Sequence, residues 1–134
     1  MIGLKRIDHV GVVVASLDTA RELLEARFGL EFAREVDKDD LRAVFLRSGD
    51  AAIELIEMKD SESNRVRLAG ETAARLEHIA LEVESLTATM EVLEALGIAL
   101  TGPPQRAGVY TSVWTREETS GGVMFQFMER EGGS

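Results

Sequence analysis

The stretch "IDHVGVVV" (residues 7–14) places a histidine inside a valine-rich apolar run that is typical of a β-strand. The second histidine of the chain occurs in a matching phrase, "LEHIALEV" (residues 76–83), and there is no third. When residues 7–32 are set against residues 76–100, a Ser-Leu pair, a helical pattern and a glycine also coincide. The sequence therefore contains two copies of one structural repeat.

The first copy reads as a strand, a helix and three further strands. Ser16 is a suitable N-cap, Leu17, Ala20, Leu23, Leu24 and Phe28 recur at helical spacing, and Gly29 can end the helix in a left-handed conformation. Turn residues separate the later strands. The predicted strands are residues 4–14, 30–36, 41–48 and 51–58.

The second copy repeats this order, with a strand at 76–83, a helix from Ser85 to about Leu96, and strands near 98–101, 109–115 and 122–128. The sequence thus predicts two βαβββ modules. The whole chain, 1–134, is expected to be one domain. Module 1 covers about 4–58, a linker with a short helix covers 59–75, and module 2 covers about 76–130.

Strand alternation places four polar side chains at equivalent positions of the two copies, on the face opposite the core. In each first strand, the histidine lies on this face and a small residue follows two positions later. In each last strand, one polar residue lies between two core residues, which are Ile53 and Leu55 in the first copy and Phe125 and Phe127 in the second. The four polar residues are His9, Glu54, His78 and Gln126.

A metal site is the prediction that these four residues favour together. A lone histidine in an apolar strand is more often a hydrogen-bonded structural residue than a ligand, and Glu54 or Gln126 alone could be a surface residue. Burial of such groups without partners costs several kcal/mol, about 2–7 for a neutral polar group, and shared ligation of an ion would remove that cost. The chain has no cysteine, so the ligands must be nitrogen and oxygen, with water or substrate completing an octahedral shell.

Composition restricts the partners. The formal net charge of -9 disfavours a nucleic-acid partner, which usually requires a basic face. No signal-peptide pattern is visible, and no apolar stretch approaches the roughly 20 residues of a membrane span, so we expect no membrane partner and a cytoplasmic location. A homodimer is the expected assembly, because it is the commonest closed form.

The segments "IDHVGVVV", "AIELIE", "LEHIALEV" and "GGVMFQF" resemble the four ligand segments of the vicinal oxygen chelate superfamily, which includes glyoxalases, bleomycin resistance proteins and dioxygenases. The resemblance covers essentially the whole chain and is strongest to the methylmalonyl-CoA epimerase and glyoxalase I branch. It implies an α+β fold in which two βαβββ modules form a curled mixed sheet around a central metal site, with ligands from the first and last strand of each module. Such epimerases use two histidines, a glutamine and a glutamate, whereas here the glutamate falls in module 1 and the amide in module 2.

The resemblance implies a metal-dependent isomerase or lyase that acts through a metal-chelated enolate, epimerase-like or glyoxalase I-like. Glu54 is then both ligand and candidate base, with Asp37, Asp39 or Asp40 as other acids within reach. The cofactor would be one divalent ion per site, Co, Ni, Zn or Mn, and the substrate a small molecule such as an acyl-CoA or a thiol adduct.

Two other classes stay open. A non-haem iron dioxygenase would use His9, His78 and Glu54 as its ligands, with Fe as the metal. A binding or resistance protein of the same fold would hold a small molecule without chemistry, and Tyr110 and Trp114 could line its pocket.

Overall fold

The computed structural model describes residues 1–132, and both repeats contain the predicted sequence of a strand, a helix and three strands. The α+β fold class is therefore confirmed. The predicted domain extent of 1–134, whose last two residues lie outside the described ones, stays a prediction. The strands are β1 Leu4–Val14, β2 Glu31–Asp37, β3 Leu41–Ser48, β4 Ala51–Met58, β5 Ala74–Val83, β6 Gln105–Ala107, β7 Tyr110–Trp114 and β8 Met124–Arg130, and the α-helices are α1 Leu17–Arg21, α2 Ser61–Leu68 and α3 Leu86–Ala95.

The sheet follows the hydrogen-bonded order β2-β3-β4-β1-β5-β8-β7-β6. In each repeat the first and last strands are parallel neighbours, β1 with β4 and β5 with β8. The other strand pairs of each repeat are antiparallel. A parallel pair cannot be joined by a tight turn, so the helix and two strands between its members supply the longer connection that it needs.

The chain forms two compact units. The first unit contains His9–Glu77, and the second contains Met1–Asp8 together with the residues from His78 onward. Strand β1 therefore passes from the second unit to the first between Asp8 and His9, and β5 passes back between Glu77 and His78. Each histidine is the first residue after a crossing.

Each unit has its own apolar core between its helix and one face of its strands. The first core is built from Val14, Leu17, Val44, Leu46 and Leu55. The second contains Val83, Leu86, Leu93, Val113 and Phe127. The predicted inward residues Ile53 and Phe125 pack against these cores, which confirms the predicted division of the strand faces.

Two carboxylates of the last strands hold the helix N-termini in equivalent ways. Glu57 in β4 accepts a hydrogen bond from the backbone N–H of Leu17 at 2.7 Å. Glu129 in β8 accepts one from the N–H of Leu86 at 2.6 Å. The predicted caps are also present, since Ser16 accepts from the N–H of Thr19 at 3.2 Å and Ser85 from that of Ala88 at 3.1 Å. The N-terminus of each helix is thus held at the last strand of its repeat. The negative charge of the carboxylate interacts favourably with the positive end of the helix dipole.

The first predicted helix is only partly α-helical. After α1 the chain forms a π-helix, Glu22–Arg27, in which the N–H of Phe28 reaches the carbonyl of Leu23 at 2.9 Å. The wider turn rotates the following side chains away from ideal α-helical positions. As a result Leu23 and Phe28 are exposed, although their spacing predicts a core-facing position, whereas Leu24 packs against the core.

The predicted strand at 98–101 is wrong. This segment contributes one isolated bridge, between Leu100 and Thr115, and the second strand of the repeat is β6 instead. Pro103 and Pro104 end the extended segment before it can form a ladder, because proline has no N–H to donate. Among residues 1–132, the helices are all too short or too polar to cross a bilayer.

The paired carboxylate caps generate a stability prediction. Glu57→Ala and Glu129→Ala should each lower the free energy of unfolding by about 1.5–3 kcal/mol, since each removes a charged acceptor from a helix N–H. The control is Glu62→Ala, which removes an exposed carboxylate and should cost less than about 1 kcal/mol. Urea denaturation measures all three, and equal midpoints for the wild type and the cap variants would contradict the role of the caps.

Candidate functional site

In the first unit the structure brings His9 and Glu54 together. His9 Nε2 lies 3.3 Å from Glu54 Oε1, and the histidine side chain is only 4 % exposed whereas that of the glutamate is 16 % exposed. Strand register explains the contact, because Glu54 stands opposite Gly11, two residues after the histidine. Opposite the histidine itself stands Ala52, whose small side chain leaves room for the diagonal pair.

An aromatic ring from β3, the strand on the far side of β4, contacts the histidine. Phe45 in β3 stands opposite Glu54 in β4, and its ring meets the His9 imidazole edge to face, with centroids 5.3 Å apart and planes at 85°. Such a contact stabilises one ring orientation by about 0.5–1.5 kcal/mol. The imidazole is therefore held with Nε2 at the carboxylate.

In the second unit His78 and Gln126 occupy the equivalent positions. Gln126 in β8 stands opposite Ala80, two residues after the histidine, so the register of the first unit is repeated. Both side chains are buried. The Gln126 amide donates a hydrogen bond from Nε2 to the hydroxyl of Ser112 at 3.0 Å, which leaves its carbonyl oxygen at the other end of the amide.

The two aromatic residues singled out in the sequence lie on this face of β7. Trp114 stands opposite Gln126 and is half-buried. Tyr110 stands opposite Arg130, whose guanidinium carbon lies 5.9 Å from the phenol ring centroid. Trp114 thus takes in the second unit the position that Phe45 takes in the first.

An arginine of helix α2 lies near the first-unit site. Arg67 donates two hydrogen bonds to the buried carboxylate of Glu77, at 2.7 and 2.9 Å. The hydrogen bonds that Arg67 donates to Glu77 raise the pKa of Arg67, and the negative charge of Glu54 adds to the effect. Arg67 therefore places a positive charge near the carboxylate of Glu54.

Asp37 in β2 does not lie on the face of the sheet that carries Glu54. By strand alternation Asp37 points to the opposite side of β2 from Arg34 and Val36, and it forms an ion pair with Lys59 at 2.6 Å. The hydrogen bond from Lys59 lowers the pKa of Asp37. Asp39 and Asp40 lie in the turn between β2 and β3.

Sequence reasoning missed Arg34. Regular alternation in β2 puts Phe32 and Arg34 on one face, but the register with β3 shifts between them, so Phe32 stands opposite Leu46 and Arg34 opposite Phe45. The guanidinium carbon of Arg34 lies 3.9 Å from the centroid of the Phe45 ring. A β-bulge is set by backbone geometry, and this sequence has no glycine at the bulge that could have signalled it. Ser112 was missed for a similar reason, since its hydrogen bond to Gln126 depends on the register between β7 and β8.

A family model described as the Glyoxalase/Bleomycin resistance protein/Dioxygenase superfamily matches residues 8–113. The chain belongs to this superfamily. The resemblance stated from the four sequence segments is thereby confirmed. Among curated proteins, the uncharacterized protein YqjC of Bacillus subtilis (strain 168) is 26% identical over 133 residues, which is 96% of this chain and 95% of that protein.

Solved structures show the same fold. Methylmalonyl-CoA epimerase from Mycobacterium tuberculosis has a TM-score of 0.82 and 24% identity, over 95% of this chain and 89% of that one. A methylmalonyl-CoA epimerase in complex with methylmalonyl-CoA and NH4+ has a TM-score of 0.83 and 20% identity, over 98% and 99%. A hypothetical protein, BH1468 from Bacillus halodurans C-125, has a TM-score of 0.83 and 21% identity, over 96% of each chain.

The hydrogen bond between Gln126 and Ser112 can be tested directly. Ser112→Ala should destabilise the protein by about 1–3 kcal/mol, because it leaves a buried amide N–H without its acceptor. Thr111→Ala removes a neighbouring hydroxyl on the opposite face and serves as the control. Chemical denaturation measures the difference, and a loss no greater than that of the control would show that the hydrogen bond contributes nothing.

Proposed function

We propose that the chain is a metal-dependent isomerase or lyase that acts through an enolate, as one vicinal oxygen chelate domain. His9, Glu54, His78 and Gln126 would hold one divalent ion, and Glu54 would also act as the base. The observation that carries the proposal is the repeated register, in which each buried histidine is followed, across a parallel strand pair, by Glu54 or Gln126.

The residues fit a metal chemically. His9, Glu54 and His78 offer two imidazole nitrogens and a carboxylate, a set that could hold a metal ion. Gln126 adds an amide oxygen whose orientation Ser112 fixes. Nitrogen and oxygen donors suit Co, Ni, Zn or Mn.

When bound, such an ion would polarise a substrate carbonyl and stabilise the negative charge of the enolate. The protein itself supplies the proton acceptor. Glu54 has the only carboxylate of the four, retains some exposure, and is held against His9. A carboxylate beside the carbon that loses its proton acts as a general base.

The substrate we propose is a small molecule with an acidic C–H next to a carbonyl, such as an acyl-CoA or a hemithioacetal. Fold similarity to epimerases that were solved with methylmalonyl-CoA or 2-nitronate-propionyl-CoA supports this class. We also propose that two copies of the chain associate as a homodimer, the commonest closed assembly.

Metal binding is the first test of the proposal. The purified chain, reconstituted with Co2+, should bind about one ion per site, and His9→Ala or His78→Ala should lower the affinity at least about tenfold. Glu35→Gln, which changes an exposed acid on β2, is the matched control. Elemental analysis after dialysis is the measurement, and circular dichroism checks folding. Unchanged metal content in either histidine variant would overturn the ligand set.

Proton exchange is the second test. The metal-loaded wild type should exchange the acidic hydrogen of methylmalonyl-CoA or of a hemithioacetal with deuterated water. Glu54→Gln keeps the shape but removes basicity, so exchange should fall about a hundredfold or more while metal is retained. Gln126→Glu adds a second base and should raise exchange. Mass spectrometry follows the label, and exchange that persists in the Glu54 variant would move the base elsewhere.

A further inference from the structure

The β-bulge in β2 puts an arginine on the face that carries the His9–Glu54 pair. Without the register shift after Phe32, Arg34 would stand opposite Val44, which is fully buried in the core of the first unit. With the shift, Arg34, Phe45 and Glu54 form one row across β2, β3 and β4, and paired residues of neighbouring strands point to the same side. Bulges of this kind re-aim side chains and are frequent beside active sites.

The arginine is held close to the histidine by a single ring. The guanidinium carbon lies 3.9 Å from the Phe45 centroid, and the His9 imidazole centroid lies 5.3 Å from the same centroid. The cation therefore cannot be farther from the imidazole than these two distances together. Stacking on the ring also limits the orientations of the guanidinium, so less freedom is lost when it binds a planar anion.

The charge of Arg34 is not used by another side chain, since within residues 1–132 it takes part in the ring contact but in no ion pair. This is notable in a chain with 24 acidic and 15 basic residues, where a carboxylate partner is easy to find. Arg47 stands in the next row, opposite Ala52, the residue that faces His9. It too makes no ion pair in the described part of the chain, so both cations are available to a ligand on this face.

We propose that Arg34 is a substrate-binding residue that recognises a carboxylate group of the substrate beside the His9–Glu54 pair. This inference rests on the proposed function, to which it adds that the substrate is an organic acid. A guanidinium binds a carboxylate through two parallel hydrogen bonds, and its planar fork matches the two oxygens. The same contact would fix which C–H of the substrate faces Glu54.

The repeats differ in this respect. In the second unit β6 has only three residues, all in regular register with β7, whereas β2 has seven and contains the bulge. The residues of β6 on the Gln126 face are Gln105, opposite Ser112, and Ala107, opposite Tyr110. Strand β6 therefore has no counterpart of Arg34 on this face.

The experiment uses malonate as a carboxylate probe and malonamide as its neutral counterpart. Titration calorimetry compares the wild type, Arg34→Gln, Arg34→Lys and the control Arg27→Gln, each with and without Co2+, and metal content is measured on the same samples. Arg34→Gln should weaken malonate binding at least about tenfold and leave malonamide binding unchanged. Arg34→Lys should bind malonate more tightly than Arg34→Gln but less tightly than the wild type. The control Arg27→Gln should bind malonate as the wild type does.

The outcomes separate the two proposals. Equal malonate affinity in the wild type and Arg34→Gln, or no malonate binding to the wild type, overturns the role of Arg34 even when metal is bound and protons exchange. Absence of metal overturns the proposed function, while the malonate comparison on metal-free protein still decides the role of Arg34. Inorganic phosphate is titrated in parallel, and a loss confined to phosphate would overturn the assignment of a carboxylate.

Discussion

The parallel pairing of the first and last strands in each repeat is the constraint on which the candidate site depends. It sets the diagonal by which a histidine and the polar residue two positions further along the neighbouring strand share one face. A shift of one residue in either pair would turn one member to the core. The carboxylates Glu57 and Glu129 couple this pairing to the helices, because each holds a helix N-terminus three residues beyond the site position of the same strand.

Much of this arrangement could be predicted from the sequence because it follows from strand alternation and from the repeat. The faces of β1, β4, β5 and β8 were predicted by alternation alone, and the caps Ser16 and Ser85 by residue type. The repeat raised the significance of His9 and His78, since each is uninformative alone. Glu54 and Gln126 could be singled out only because two short apolar phrases occupied equivalent positions.

Features that depend on long-range register could not be predicted. The apolar run at 98–101 has the composition of a strand. Whether a segment forms a strand depends on its hydrogen-bonded partner, and Gln105–Ala107 is the segment that pairs with β7. The side of the sheet to which Arg34 points depends on the β-bulge in β2, which adds one residue opposite β3. The periodicity of the side chains does not reveal this bulge. The capping roles of Glu57 and Glu129 require helices and strands that are 40 or more residues apart in sequence.

The two repeats share the same strand register around the candidate site but differ in the residues that occupy it. Phe45 and Trp114 occupy equivalent positions beside Glu54 and Gln126, and each is aromatic. Glu54 can accept a proton, whereas the amide of Gln126 cannot and is instead hydrogen-bonded to Ser112. Under the proposed function, the first copy would supply the proton acceptor and the second copy a neutral oxygen donor.

The π-helix accounts for a one-residue difference in length between the helical segments of the two repeats. Ser16 and Gly29 are thirteen positions apart, whereas their counterparts Ser85 and Gly97 are twelve apart. The hydrogen bond from Phe28 to Leu23 spans five residues instead of four and so absorbs one additional residue within a single turn. Both glycines still have positive φ, 85° and 74°, and end their helices alike. The additional residue of the first repeat is therefore accommodated within the last part of its helix, before Gly29.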